Sequence, residues 1–378
     1  MATRIEAIIQ PELLLWARTS ASMTVEVAAK KAHVTAELLQ EWEDGTERPT
    51  VNQLRLLAEA YKRPLAVFYL PTPPKGFDAL RDFRSAAEGA PTPALAYEIR
   101  RANERREIAL DLLDELREVS PATAFKVKKS TEPDVVAEHL RDALGVSLAE
   151  QTSWSSESVA LSKWRDAVEG IGVLVFQTTG VNVNEARGFS IASDTLPVIA
   201  INGKDSAAGR IFTMIHELAH LALRQGGVCD LDEHGVEVFC NAVAGALLVP
   251  RDALLTHPDV SGVNTVEWPE ETLKRLARTF RVSREVIVRR LLTTGKTKSS
   301  FYERKRLQYA SELKIATKGG PPPPVLAIAR AGRFFTTVVV RSYTEGRITS
   351  ADASDFLSLR LRHLPEVMKS IRVGGLTA

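Results

Sequence analysis

The sequence predicts an α+β protein that is mostly helical, and three observations support this fold class. Apolar residues recur at helical spacing along much of the 378-residue chain, between short turn segments. Three short runs rich in Val, Ile and Phe predict strands at Gly172–Gln177, Gly188–Ala192 and Leu196–Ile201. A long helix begins near Ser206, and this order of helix, short sheet and long helix is typical of α+β domains.

The composition excludes several classes of protein. Apolar residues make up 44% and charged residues 25% of the chain, as in ordinary globular proteins. No apolar run approaches the ~20 residues of a membrane span, and the first residues lack a secretion signal. Only two cysteines occur, Cys229 and Cys240, which argues against a disulfide framework and fits a reducing compartment. We therefore expect a cytoplasmic protein without a membrane partner.

Turn and proline signals divide the chain into four predicted parts. Residues 1–70 form a string of short helices, and residues 71–130 hold a proline-rich linker and a long charged helix. Residues 131–300 contain the predicted sheet and its flanking helices, near 134–144, 157–170, Glu271–Thr279 and Arg284–Leu292. Residues 301–378 form a basic region with 13 Lys and Arg against 6 Asp and Glu, which is either a solvated surface or a contact for an acidic partner or nucleic acid.

Three smaller sequence features predict a solvated helix face, a spacer and a further strand. The long charged helix contains the pairs Arg100-Arg101 and Arg105-Arg106, which we expect on a solvated face. The polar segment Lys296–Gly320 runs into four prolines and predicts a stiff spacer. Within 325–372, a possible further folded unit, the run Phe334–Val340 has the composition of a strand.

A metal site is predicted at His216-Glu217-Leu218-Ala219-His220. Four-residue spacing on a helix places the imidazoles of His216 and His220 on one face, one turn apart, where both can bind one zinc ion. Glu217 lies beside them and can polarise water without being a ligand. The flanking apolar residues favour the helix. The alternative is an ordinary helix with two surface histidines.

A catalytic zinc also needs a third protein ligand and an open fourth position. The metzincin pattern requires Gly and His where this chain has Leu223 and Gly226, so that class is excluded. We predict Glu237, on the next helix, with Asn241 one turn later orienting a ligand. An apolar stripe at 236, 239, 240, 243 and 247 would hold Glu237 at the edge of the core. The rival ligands are Cys229 and Cys240, together with Asp230, Asp232, Glu233 and His234 in a segment that is expected to be a loop.

The segment from Gly170 to Pro250 resembles the ImmA/IrrE family of zinc metallopeptidases. The resemblance is carried by residues 170–176, 188–190, 196–202, 210–220 and the predicted helix 237–250. Val243 and Val249 depart from the family pattern without touching a ligand. The resemblance implies a zincin-like fold with Zn²⁺ bound, as in gluzincins, by His216, His220 and Glu237, and with Glu217 as the general base.

Residues 12–70 resemble the Xre-type helix-turn-helix of phage-repressor-like regulators, through 24–32, 33–35, 39–45, 48–50 and 54–58. This resemblance implies DNA contacts near the second helix, for which the candidates are Lys30, Lys31, Thr35, Ala36, Gln40 and Arg48. That helix carries Glu37, Glu41 and Glu43 but no Lys or Arg. Since phosphate contacts supply much of the affinity for DNA, a module for protein docking or dimerisation is the alternative.

Two functions follow from these features. The first is a zinc-dependent endopeptidase linked to transcriptional regulation, with a repressor-like regulatory protein as substrate and DNA as a further partner. The second is a DNA-binding regulator, or an antitoxin-like protein, with a non-catalytic zinc site. Glu217 favours the enzyme, since a structural site needs ligands and not a base beside them. In the enzyme, Leu196–Ile201 is expected to line the cleft, where an extended substrate adds as a further strand.

Overall fold

The computed structural model describes residues 5–74, 91–119, 132–226, 233–312 and 322–373. Within these ranges the chain is mostly helical and contains one three-stranded sheet, in agreement with the predicted fold class. The chain divides into two compact units, Met1–Asn103 and Glu104–Ala378. The four-part division of the sequence stays a prediction.

The first unit is built from short capped helices. These are α1 (Pro11–Ser20), α2 (Val25–Ala32), α3 (Ala36–Asp44), α4 (Val51–Tyr61) and the 3₁₀ turn Leu65–Tyr69. Thr24, Thr35 and Thr50 each stand before a helix, and each side chain accepts a hydrogen bond from a backbone N–H of the first turn. The core of this unit includes four large side chains that are fully buried, namely Leu39, Trp42, Leu54 and Leu57.

A long helix, α5 (Pro93–Glu115), spans the division between the two units. The second unit contains many further helices in chain order. They are α6 (Pro133–Leu144), α7 (Leu148–Ser153), α8 (Glu157–Gly170), α9 (Ala207–Gly226), α10 (Glu233–Leu248), α11 (Arg251–Leu255), α12 (Glu270–Phe280), α13 (Arg284–Thr293), α14 (Ser299–Ser311), α15 (Pro323–Ala331), α16 (Arg333–Thr344), α17 (Ser350–Phe356), the 3₁₀ turn Leu361–His363 and α18 (Leu364–Val373).

The sheet consists of β1 (Leu174–Thr178), β2 (Gly188–Ile191) and β3 (Val198–Asn202) in the order β1-β3-β2. The central strand β3 is parallel to β1 and antiparallel to β2. The expectation that a substrate adds to Leu196–Ile201 is therefore wrong, because neighbouring strands occupy both backbone edges of β3. Sequence patterns locate a strand but do not give its position in the sheet.

Helices cover this sheet and position the elements of interest. Helix α9 packs against β2, β3, α8 and α10, while α8 and α15 contact β1. The inward side of α9 is fully apolar, with Ile211, Met214, Ile215 and Leu218 buried in the main core. Its remaining face is left for polar residues.

The C-terminal part of the chain is more helical than predicted. The run Phe334–Val340 belongs to helix α16, and residues 299–311 of the predicted spacer form α14. Phe335 is buried and packs edge-to-face on Phe176, with ring centroids 5.9 Å apart. Tertiary burial of this kind overrides the strand preference of Val, Thr and Phe.

The second arginine pair of α5 is not on a solvated face, which corrects that expectation. Arg105 is only 4% exposed, and its guanidinium lies 5.4 Å from the ring centroid of Phe176. Arg106 donates hydrogen bonds to the backbone carbonyls of Thr195 and Leu196. The helical period of 3.6 residues predicts which residues share a face of a helix. It does not predict which other elements of the fold pack against that face.

Among the described residues, no single helix is long and apolar enough to cross a membrane. Two consecutive helices, α15 and α16, meet the length and composition requirements only when taken together, and they are bent by 109° relative to each other.

Candidate metal site

Helix α9 presents two histidines on its polar face. His216 and His220 are half-buried and one turn apart, and their ring centroids are 4.7 Å from each other. Their Nε2 atoms lie 3.0 Å apart. Because the opposite side of α9 is anchored in the core, both nitrogens are held on one side of the helix.

Helix α10 brings Glu237 to these nitrogens. Its carboxylate oxygens lie 3.3 Å from His216 Nε2 and 3.1 Å from His220 Nε2, although the side chain is 55% exposed. Hydrogen bonds with His216 and His220 hold the pKa of the Glu237 carboxyl far below its usual range. The three side chains together offer one oxygen and two nitrogen ligand atoms, all within 4.8 Å of one another.

This spacing fits a tetrahedral metal ion. Ligand atoms at the ~2.0–2.1 Å that zinc prefers, separated by a tetrahedral angle, lie about 3.3 Å from one another. The two Nε2 atoms lie 3.0 Å apart, and each lies 3.1–3.3 Å from a different oxygen of Glu237, which is close to this value. Two imidazoles and a carboxylate are also a donor set that zinc accepts. The residues present therefore fit the metal that the sequence predicts.

The start of α10 differs from the expectation. The helix begins at Glu233, so Glu237 lies in its second turn, and Glu233 and His234 are helical and not in a loop. A single glycine, Gly235, is tolerated inside the helix because it weakens a helix without breaking it. Three of the rival ligands, Cys229, Asp230 and Asp232, lie outside the described residues.

Cys240, another of the rival ligands, is fully buried in the main core. Burial raises the pKa of its thiol, and the nearby carboxylates of Glu237 and Glu217 raise it further. A thiol that stays protonated is a poor metal ligand, since the thiolate is the binding form. The environment of Cys240 therefore favours packing in the core over metal binding.

The far end of α10 is fixed by side chains from other helices. Helix C-termini leave carbonyl groups without intrahelical partners, and here three side chains satisfy them. The bonds run from Arg141 Nη1 to Leu247 O (2.6 Å), from Gln151 Nε2 to Leu248 O (2.9 Å) and from Arg290 Nε to Val249 O (2.8 Å). This anchoring, with the buried stripe of α10, determines where Glu237 stands.

Glu217 is half-buried on α9 beside both histidines, close to the first residue of β2. A Cβ atom at Gly188 would lie 2.4 Å from Thr213 Cγ2 and 2.8 Å from Ala200 O. It would also come within 3.7 Å of Glu217 Cγ. Only glycine allows β2 to approach α9 this closely, and a glycine opening a strand is the sequence feature that points to such an approach.

One aromatic ring and one cationic side chain near the site were not predicted from the sequence. The ring of Phe212 stacks on His216, with centroids 6.4 Å apart. The guanidinium of Arg289, on α13, lies 5.6 Å from the centroid of Phe212. Phe212 could have been found from its position one turn before His216, but Arg289 is far along the chain and no local pattern connects it to the site.

Asn241 is half-buried on α10, one turn after Glu237. Within the described ranges it makes no hydrogen bond to either histidine or to Glu237, and the Nδ1 atom of His216 is buried there without a partner. The structure thus places Asn241 on the helix as expected without giving it a contact to a ligand.

The predicted DNA contacts lie on the surface of the first unit. Lys30, Lys31, Gln40 and Arg48 are exposed, and Ala36 is half-buried at the start of α3. The hydroxyl of Thr35 accepts a hydrogen bond from the Leu38 N–H and so caps α3. Three of the four acidic residues of α3 are exposed, whereas Glu43 is buried in a bidentate ion pair with Arg18.

Comparison with known proteins places the metal site inside a recognised domain. Residues 168–292 match the Peptidase_M78 family model, described as an IrrE N-terminal-like domain. This match covers about one third of the chain, includes the sheet and helices α9 and α10, and does not extend to the first unit. It supports the ImmA/IrrE peptidase family and indicates a metallopeptidase-type function. No curated protein and no solved structure matches the chain.

Proposed function

We propose that this chain is a zinc-dependent endopeptidase linked to transcriptional regulation. The observation that carries the proposal is the cluster of His216, His220 and Glu237, whose ligand atoms lie within 4.8 Å of one another beside Glu217. The match of the surrounding residues to a peptidase family agrees with it.

The residues divide into ligands and a base. His216, His220 and Glu237 would hold zinc, and no fourth His, Cys, Asp or Glu joins their cluster in the part of the chain that the structure describes. Zinc in such a site supplies Lewis acidity, which activates water and polarises a carbonyl group. Glu217, a base beside the ligands that is not one of them, favours catalysis over the non-catalytic alternative, since a structural site needs only ligands.

Glu217 would move the protons of the reaction. Its carboxylate takes a proton from the attacking water and then delivers it to the amine nitrogen that leaves when the peptide bond breaks. Its placement next to both ligand histidines, on a helix anchored in the core, holds the carboxylate in one position relative to them.

The substrate backbone would lie along β2. In the described sheet β2 pairs with β3 alone, so its other edge carries backbone groups that an extended peptide can bond. The close approach of Gly188 to α9 brings this edge next to Glu217. The resemblance to ImmA/IrrE proteins suggests a repressor-like regulatory protein as the substrate.

Replacing Glu217 by Gln tests the catalytic proposal. We expect the purified parent and Glu217→Gln to carry equal zinc, as measured by elemental analysis, because Glu217 is not a ligand. In cells, mass spectrometry of protein termini should find new termini with the parent that are absent with Glu217→Gln. A loss of general-base catalysis costs about 10²–10⁴-fold in rate.

Glu115→Gln is the matched control, since Glu115 is exposed at the end of α5 and its amide variant keeps Glu217. It should produce the same new termini as the parent. Equal termini from the parent and Glu217→Gln, or a parent without zinc, would contradict the proposed function.

We further propose that α2 and α3 act as a helix-turn-helix that binds DNA weakly. Burial of Glu43 leaves three exposed acids on α3, and Lys30, Lys31 and Arg48 are exposed nearby. Gel shifts at low salt should show binding that weakens steeply as salt rises, and Lys30→Gln/Lys31→Gln should reduce it. Absence of any shift, including on the chain's own upstream region, would favour a docking module.

A further inference from the structure

The C-terminal helices enclose a cleft away from the metal site. Helix α15, the segment after α17 and the 3₁₀ turn Leu361–His363 surround a cavity of about 250 Å³. Its apolar wall includes Leu326, Ala327 and Leu359, of which the last two are buried. A concave apolar wall with a few polar groups is the usual form of a small-molecule site.

The ionisable side chains of this cleft are all basic, and Ser358 is its one neutral polar side chain within the described lining. Arg330, Arg360, Arg362 and His363 line it, and no Asp or Glu belongs to its described lining. The flanking sequences 313–321 and 374–378 contain no acidic residue. Three arginines therefore line one cavity, and no Asp or Glu of the described residues lines it with them.

Arg330 is the least exposed arginine of this cleft. Its Nε atom is buried and has no hydrogen-bond partner within the described ranges. Leaving a buried charged donor unpaired costs about 1–3 kcal/mol or more, so such groups are ordinarily satisfied by a partner. Arg360 and Arg362 are exposed at the same cavity, and the Nε of Arg362 donates to His363 Nε2 at 3.2 Å.

We propose that this cleft binds a small organic anion, a carboxylate or phosphate attached to an apolar body. Guanidinium groups pair with carboxylate and phosphate oxygens in bidentate geometry, and Arg330 would offer its two terminal nitrogens, because its Nε is buried away from the cleft. The apolar body would contact Leu326, Ala327 and Leu359. At the ~30 Å³ that a liquid water occupies, the cavity holds on the order of ten non-hydrogen atoms, the size of a substituted benzene ring.

Because the cleft is attached to the sheet of the second unit, ligand binding can be measured as a change in the melting temperature. The carbonyl of Arg330 accepts a hydrogen bond from Arg105 Nη1 at 3.1 Å, and the Arg105 guanidinium lies over Phe176 of β1. The cleft is therefore built on a helix that is fastened to the sheet of the second unit. An anion bound to the folded cleft should raise the melting temperature of the full chain.

Titration of the full chain with phenyl phosphate and with benzoate tests the proposal, by thermal shift and calorimetry. Saturable binding of at least one of them is expected, and neutral benzamide should not bind. Arg330→Met should weaken binding about tenfold or more, because it removes the charge-assisted bonds. Arg360→Gln, an exposed change that leaves the packing intact, should weaken it by a smaller factor, while Arg306→Met on α14 should have no effect.

Three results would overturn the proposal. The first is no saturable binding of either aromatic anion, and the second is equal affinity for benzamide. The third is binding that Arg330→Met and Arg360→Gln both leave unchanged. A short RNA or DNA duplex is titrated alongside. If it binds through these arginines while both aromatic anions fail to saturate, the basic cleft is a nucleic-acid contact and not a small-molecule site.

Discussion

Two clusters of charged side chains in the second unit differ in how their polar atoms are satisfied. In the metal cluster, His216, His220 and Glu237 face one another and are half-buried or exposed. In the second cluster, Arg165 and Glu169 are buried on α8, with 3.7 Å between Nε and Oε1. Backbone groups bond the other atoms of that pair: Arg165 donates to the Ala329 carbonyl at 2.7 Å, and Glu169 accepts from the Phe334 N–H at 3.0 Å, while Arg165 Nε and Glu169 Oε1 interact through charge alone.

The difference separates a site for a ligand from a structural joint. The Arg165–Glu169 pair fastens the bend between α15 and α16, where Gly332 adopts a φ of +82° and a Cβ would lie 2.4 Å from Glu169 Oε1. Its charges are used within the chain. In the metal cluster the donor atoms converge on one point and are open to solvent on the Glu237 side, as a metal requires.

The largest effect should come from removing the third proposed ligand. Glu237→Gln should lose most bound zinc, measured by elemental analysis, and should lower peptidase activity about 10³-fold or more, because several kcal/mol of Lewis-acid stabilisation disappear. His234→Ala and Glu233→Gln, on the same helix, are the matched controls and should keep zinc. Retention of zinc by Glu237→Gln, or its loss in either control, would contradict the assignment.

The next effect concerns the free energy of unfolding. Here a change in the Arg165–Glu169 pair should have a larger effect than a change in the metal cluster. Arg165→Met leaves the buried Glu169 without its ion-pair partner and should lower the free energy of unfolding by about 3–5 kcal/mol in urea denaturation. In metal-free protein, Glu237→Gln should change it by less than about 1 kcal/mol, since that side chain is 55% exposed. If Arg165→Met and Glu237→Gln were equally stable without metal, the distinction between a structural ion pair and a ligand site would be wrong.

The smallest effect is a pH dependence of the free energy of unfolding, which arises from the buried Arg165–Glu169 pair. Burial raises the pKa of Glu169 to about 7, although Arg165 and the Phe334 N–H act to lower it. A carboxyl whose pKa is higher in the folded than in the unfolded chain loses stability as pH rises from about 4.5 to 7. The loss should approach ~3 kcal/mol above pH 7, at about 1.4 kcal/mol per pKa unit.

This dependence is measured as the difference between the parent and Glu169→Gln in urea denaturation at several pH values, with chelator present. The variant lacks the titrating group, so its stability should fall less than that of the parent over the same window. Parallel pH profiles for the two proteins would show that Glu169 does not titrate there.

Much of the fold could be predicted from local patterns. The three strands and helices α6, α8, α9, α12 and α13 lie within a few residues of their predicted ranges. The clustering of His216 with His220 follows from the period of a helix, which acts over one turn. The approach of Glu237 could be predicted because the buried stripe of α10 orients it and its small residues allow close packing.

Features that depend on distant partners could not be predicted in the same way. The central position of β3 is decided by pairing with β1 and β2, which single-strand patterns do not contain. Arg105 is buried because two aromatic rings from elsewhere in the chain surround it. Phe334–Val340 is helical because α16 buries Phe335 and Val339 against its neighbours, although its composition favours a strand.

The strand order also has a consequence for how the chain folds. β2 and β3 are antiparallel neighbours in sequence, so they can form a hairpin quickly, with little loop-closure entropy. β1 pairs in parallel with β3 across the segment that contains β2, and this longer loop is slower to close. The edge next to Glu217 would therefore form in an early local step, and the sheet would be completed later when β1 and its covering helices dock.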